Sequence, residues 1–255
     1  APVSNSIFDI ASNPAPTSTN TGTLGIVDEV GPTVTNVTST KTDGIYKAGE
    51  VISIQVVFSE IVTVTGTPTL SLETGSTDHS VNYASGSGTT TLTFTYTVQS
   101  GNNSADLEYQ STSALALNGG TILDVASNAA TLTLPALGAT GSLGFNKAIV
   151  IDTTVPTITS TTLSPANDFV DVTFSEAVYT TAGALPIAPA DVGIEFAANG
   201  GTATGVSITS ILSTTSTALV GGETTIRIFI AVTGTVSGKE TIKVKALADS
   251  IFDLV

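Results

Sequence analysis

The residues of this 255-residue chain whose types and spacing could do chemistry are carboxylates at recurring positions. Asp28 and Glu29 precede Pro32, and Asp152 precedes Pro156 in the same way. Glu60 and Glu176 each close a Phe-Ser-Glu triplet, Phe58-Ser59-Glu60 and Phe174-Ser175-Glu176, and Asp124 stands four residues before Asn128. Several carboxylates and an amide are the donors that a calcium ion takes, about six to eight oxygens in tolerant geometry. A second reading of the same residues stays open. An aspartate ahead of small residues closes an Asx turn on its own backbone, and Glu60 can cap nearby amides or stay solvated.

Other chemistries find less to work with. His79 is the single histidine and follows Asp78 in an expected turn, so it reads as a surface side chain and not as the base of a Ser-His-Asp arrangement. The acids fall mainly at expected strand ends, which disfavours the paired carboxylates of a glycosidase. Gly86-Ser87-Gly88 and Gly119-Gly120 read as turns, since no lysine or helix start follows to hold a phosphate. Asn36-Val37-Thr38 and Asn102-Asn103-Ser104 match the glycosylation sequon, a pattern short enough to arise by chance. The chain is expected not to be an enzyme. Lys and Arg number 7 against 21 acids, a formal charge of −14, so a nucleic-acid or anionic-membrane surface is disfavoured and cations are the expected partners. Cys, Met and Trp are absent, which leaves no disulfide, no thiolate metal site and little to oxidise. No apolar run reaches the roughly 18 residues of a membrane-spanning helix.

The elements that must position the carboxylates are strands. Thr, Ser, Val, Ile, Gly and Ala dominate in short alternating runs, and β-branched side chains suit a pleated surface better than a helix. A repeat divides the chain: Ser6-Ile7-Phe8-Asp9-Ile10-Ala11-Ser12-Asn13 returns as Ile122-Leu123-Asp124-Val125-Ala126-Ser127-Asn128 and again as Ser250-Ile251-Phe252-Asp253. The expected fold is all-β, with an N-terminal segment over 1–28 and two sandwich bodies over 29–152 and 153–255, the second without its last strand. Strands are expected in the first body at Thr33–Ser39, Val51–Glu60, Thr67–Glu73, His79–Ser85, Thr90–Val98 and Ala105–Gln110, then a helical turn near Ala114–Leu117 and a closing run Phe145–Ile151. In the second body they fall at Thr157–Leu163, Phe169–Glu176, Val192–Phe196, Val206–Leu212, Thr224–Ala231 and Thr241–Leu247. Ile52, Ile54, Val56 and Phe58, and then Leu92, Phe94 and Tyr96, alternate as inward faces.

Strand direction then gathers the carboxylates. If the first strand of a body leaves its entry pole, the second returns, so Glu60 ends beside Asp28 and Glu29. The sixth strand returns as well, which is expected to bring Glu108 and the loop with Asp124 and Asn128 to that pole. Asp152, Glu176 and Asp253 are the counterparts in the second body.

Phe58-Ser59-Glu60-Ile61-Val62, its copy Phe174-Ser175-Glu176-Ala177-Val178, the Asp124 to Asn128 loop and the Asp152-Thr153-Thr154-x-Pro156 junction occur in fixed order. Together they resemble the tandem bacterial immunoglobulin-like, cadherin-like repeats of large surface proteins and adhesins, over essentially the whole chain. The resemblance implies two tandem immunoglobulin-like β-sandwich domains in an extracellular structural protein of the cell surface, stacked end to end with calcium at the junctions. Asp28-Glu29-Val30-Gly31-Pro32 departs from the junction pattern, and the Asp253 loop stops before an Asn. A filament or rod unit is the first expectation. An adhesin module that grips a glycan or protein ligand is the alternative, disfavoured because aromatics are only 5% of the chain.

Thr21–Asp28 reads as a final strand, with Thr23, Leu24, Ile26 and Val27 as its donor interface. It is expected to fill the open last-strand position in another copy of the chain, and because donor and acceptor are different surfaces the contact runs head-to-tail. The rival expectation is a longer covalent array cut out of phase, in which the same strand reaches the same slot through continuous chain.

Overall fold

The computed structural model describes residues 27–180, 184–248 and 250–254. The expected donor residues Thr23, Leu24 and Ile26 lie outside them, while Val27 and Asp28 are exposed and outside any strand. In the first half, β1 (Val34–Ser39), β2 (Gly44–Tyr46), β3 (Val51–Thr65), β4 (Thr69–Glu73), β5 (His79–Ser85) and β6 (Thr89–Thr97) come first. They are followed by β7 (Glu108–Tyr109), β8 (Leu115–Ala116), β9 (Thr121–Leu123), a one-turn helix α1 (Leu143–Asn146) and β10 (Ile149–Ile151). The second half holds β11 (Ile158–Leu163), β12 (Phe169–Val178), β13 (Val192–Ala197), β14 (Gly205–Leu212), β15 (Glu223–Thr233) and β16 (Thr241–Ala246).

The protein is an all-β sandwich of curled, mainly antiparallel sheets. In the first half one sheet runs β1-β3-β6-β5-β4-β7, with β8 on β4 and β9 on β3, while β10 pairs in parallel with β2. In the second half β11-β12-β15-β14 form one sheet and β13-β16 another. Alternation decides which face is buried: Ile52, Ile54, Val56 and Phe58 of β3 pack inward with Leu92, Phe94 and Tyr96 of β6, Ile54 opposite Phe94 and Val56 opposite Leu92. Buried apolar residues form two clusters, one drawn from Val37 to Ile151 and one from Val170 to Ile230.

Several elements differ from the sequence pattern. β3 runs on beyond Glu60 because its ladder with β6 breaks register between Val57 and Val62, and the strand then pairs with β9. Ala114–Leu117 is not a helical turn, since Leu115 is buried and pairs with Leu70 on β4. Only Glu108–Tyr109 of the expected Ala105–Gln110 run is strand. Phe145–Ile151 splits between α1 and β10: the Ser142 hydroxyl accepts from Phe145 N–H at 3.2 Å and starts a helix that buries Leu143 and leaves Phe145 outside. His79 opens β5 and is not in a turn, its ring 5.7 Å from that of the buried Tyr96.

Candidate metal centre

The site is built by a strand that bends, a linker that enters and a loop that returns. At the register break in β3, Ser59 N–H donates to Thr33 O at 2.8 Å and Ser59 Oγ accepts from Thr33 N–H at 3.0 Å. This reciprocal pair clamps the entering chain beside Glu60. Ser175 and Thr157 repeat it in the second half at 2.8 and 2.9 Å. The serine of each Phe-Ser-Glu triplet therefore has a positioning task that its recurrence beside Glu signalled and that sequence reasoning left unassigned.

In the first half, one carboxylate oxygen from each of Asp28, Glu60 and Asp124 lies within 4.8 Å of the others. Asp28 Oδ1 accepts from Val30 N–H at 3.1 Å, an Asx turn, so the turn and the cluster coexist on one residue. Asp124 is 4% exposed and sits in the loop that follows β9. Burial pushes its carboxyl up, but hydrogen bonds from the Asn128 amide group and from the backbone of Asn128, Ala126 and Ser127 outweigh burial and hold it below the usual carboxylate range. Asn128 reaches the site through nitrogen: Nδ2 donates to Asp124 Oδ2 at 2.8 Å and to Asp28 O at 3.0 Å, tying loop to linker. Ser127 takes a positive φ of 73° to close that loop. Glu60 is raised by burial first and then by the charges of Asp124 and Asp28.

Gly31 accounts for the departure from the junction pattern at this linker. A Cβ there would lie 2.2 Å from Ala129 O, so only glycine lets the linker lie against the loop that carries Asn128. Glu29 is exposed and stands outside the three-carboxylate cluster, because Asp28 and not its neighbour faces Glu60 and Asp124. Glu108 is also elsewhere. Its carboxylate accepts from Leu143 and Gly144 N–H, each at 3.1 Å, and so caps α1.

Asp152, Glu176 and Asp253 form the matching cluster, again within 4.8 Å and each partly buried. Thr154 N–H donates to Asp152 Oδ1 at 3.0 Å, as Val30 does to Asp28. Phe252 is held to Tyr179 by two backbone hydrogen bonds of 2.8 Å, which places Asp253 beside β12 as the β9 ladder places Asp124 beside β3. Glu176 Oε1 is buried without a hydrogen-bond partner among the described residues. Burial raises its pKa first, and Asp152 and Asp253 raise it further. A buried oxygen without a donor, facing two like charges, is in an environment that a cation would relieve. Each cluster could hold a metal ion. Neither a protein-family model nor a curated protein matches this chain.

Proposed function

We propose that the chain is an extracellular structural protein of the cell surface. Its two halves act as immunoglobulin-like domains, 29–152 and 153–255, braced by calcium where each is entered. Copies join head-to-tail by strand complementation from the 1–28 segment. The reading rests on the second carboxylate cluster, in which Asp152, one residue beyond β10, meets Glu176 and Asp253 of the following half. An ion held there ties the exit of one half to the strand and loop of the next and removes the freedom of the linker between them.

The donors fit the ion. Both clusters offer carboxylate oxygen alone, which suits a hard cation. Two oxygens about 2.3–2.6 Å from one calcium lie at most about 5 Å apart, and the carboxylates here lie within 4.8 Å. Thermal unfolding and small-angle scattering, each with calcium and with a chelator, test the proposal. Calcium should raise the transition temperature and extend the particle. No change in either measurement would refute calcium bracing.

A further inference from the structure

Asn102-Asn103-Ser104 has the form of a glycosylation sequon, but its contacts give it another task. Asn102 is 7% exposed, and its Oδ1 accepts from the buried Tyr96 hydroxyl at 2.9 Å and from Gln99 N–H at 3.2 Å, which fastens the loop after β6 to the core of the first half. The same loop grips the chain that leaves for the second half. Ser104 and Ile151 exchange two backbone bonds of 2.8 Å, and Asp152 N–H donates to Tyr46 O at 3.0 Å. Asn103 Oδ1 accepts from Thr153 N–H at 2.8 Å. The Thr153 hydroxyl accepts from Gly101 N–H at 2.8 Å and donates to Asn102 O at 3.0 Å. On the far side Thr157 is taken up by the Ser175 clamp. Between these two holds Val155 and Pro156 make no hydrogen bond among the described residues. Proline fixes its own φ and turns Val155 away from the helical region, so even this pair has little freedom.

We infer that Thr153 and Asn103 are positioning residues of the joint between the halves. They hold Asp152 on the first half, confine the freedom of the joint to Val155 and Pro156, and so present the Asp152 carboxylate to Glu176 and Asp253 before an ion is bound. The inference deepens the calcium bracing proposed above and, where the ion is concerned, rests on it; the hold itself uses no ion. A ligand fixed in advance loses less freedom when it binds, and the partners that orient a metal ligand contribute about 10–100-fold in affinity. The first linker is held differently. Asp28-Glu29-Val30-Gly31-Pro32 and Asp152-Thr153-Thr154-Val155-Pro156 align on aspartate and proline, which sets Glu29 at the place of Thr153. There the hold comes from the half being entered, with Asn128 Nδ2 donating to Asp28 O at 3.0 Å. At the second linker the bonds to Asp152 N–H and Thr153 come from the half being left, so the Thr153 hydroxyl does at one joint what the Asn128 amide does at the other.

Three variants of the full chain test the assignment. Thr153→Val keeps the shape of the side chain and removes the hydroxyl, Thr153→Ser keeps the hydroxyl, and Asn103→Ala removes the acceptor from an exposed residue, so all three keep the fold, which circular dichroism checks. In chelator the Gly101 amide should exchange slowly in the parent and in Thr153→Ser, and roughly tenfold faster or more in Thr153→Val, which leaves it without an acceptor. Small-angle scattering in chelator should show a wider spread of dimensions for Thr153→Val and Asn103→Ala than for the parent. Calcium titration should find the second cluster roughly tenfold weaker or more in those two variants, the first cluster unchanged, and Thr153→Ser restored to the parent affinity. A loss of general stability would not divide the two clusters in this way. Gly101 exchange that is as fast in the parent as in Thr153→Val overturns the inference, as do identical scattering profiles for all four proteins. So does a parent that binds calcium at the second cluster no more tightly than Thr153→Val. A parent that binds no calcium refutes the bracing instead, and exchange and scattering then decide the hold by themselves.

Discussion

Replacing Glu176 by Gln should have opposite effects on stability with and without calcium. The substitution keeps the size and shape of the side chain and removes one charge from a group whose carboxylate oxygens lie within 4.8 Å of one another. At that separation two like charges repel by about 0.9 kcal/mol in water and about 3.5 kcal/mol at an effective dielectric constant near 20. Glu176 faces two such neighbours, Asp152 and Asp253, and the cluster is only partly buried, so the water figure is the better guide. With chelator, Glu176→Gln should therefore be more stable than the parent by about 1–2 kcal/mol at low ionic strength, and the gain should shrink as salt screens it. With calcium at about a hundred times its dissociation constant the parent gains about 2.7 kcal/mol per site, and the variant loses the share that belongs to this cluster. Denaturant unfolding of both proteins, with calcium and with chelator at two salt concentrations, gives all the differences. If calcium stabilises the variant as much as the parent, the cluster is not a cation site, and if the chelated variant is no more stable than the chelated parent, it is not a repulsive one.

Phe94→Ala should cost about 3–5 kcal/mol, because the side chain is fully buried opposite Ile54 and its ring makes a T-shaped contact with Tyr83, and a loss below about 1 kcal/mol would contradict that packing. Gly31→Ala should push the linker off the loop at Ala129 and lower calcium affinity at the first cluster by roughly tenfold or more while the second cluster binds unchanged, as isothermal titration would resolve. Alkaline pH should unfold the protein early. Burial pushes the Tyr96 phenol up to about 12 from 10.0, so the folded chain holds this proton where the unfolded chain has released it. Stability from this group is complete below about pH 10 and falls by up to about 1.4 kcal/mol per pH unit between about 10 and 12. Tyr96→Phe should remove that share of the alkaline slope in pH-dependent unfolding.

The inward faces of β3 and β6 were legible because an alternation period of two is a property of the sequence itself. The meeting of Glu60 with Asp124 was legible for a different reason: strand direction alone returns both to the entry pole. Glu108 escaped that argument because β7 is only Glu108–Tyr109 and places Glu108 opposite Glu73, at the far end of β4. The helix that it caps was hidden as well. Leu143 to Asn146 is too short to show a helical period, and two of its first amides are satisfied by a carboxylate some 35 residues earlier in the chain, beside the Ser142 cap. Gly31 could be read as a departure from a pattern, but its reason is a contact with Ala129, nearly a hundred residues away.

The two halves share the entry pole and differ in the connection between their first two long strands. The pole depends on a serine clamp, an Asx turn and a returning loop, all short-range devices that a repeated motif carries with it. The parallel neighbour of β10 depends on the length of one connection. Residues 40–50 between β1 and β3 have room for β2, which gives β10 a parallel neighbour. Residues 164–168 between β11 and β12 close at once, with Ser164 Oγ accepting from Asp168 and Phe169 N–H and Asn167 at a φ of 57°. No counterpart of β2 fits in that turn.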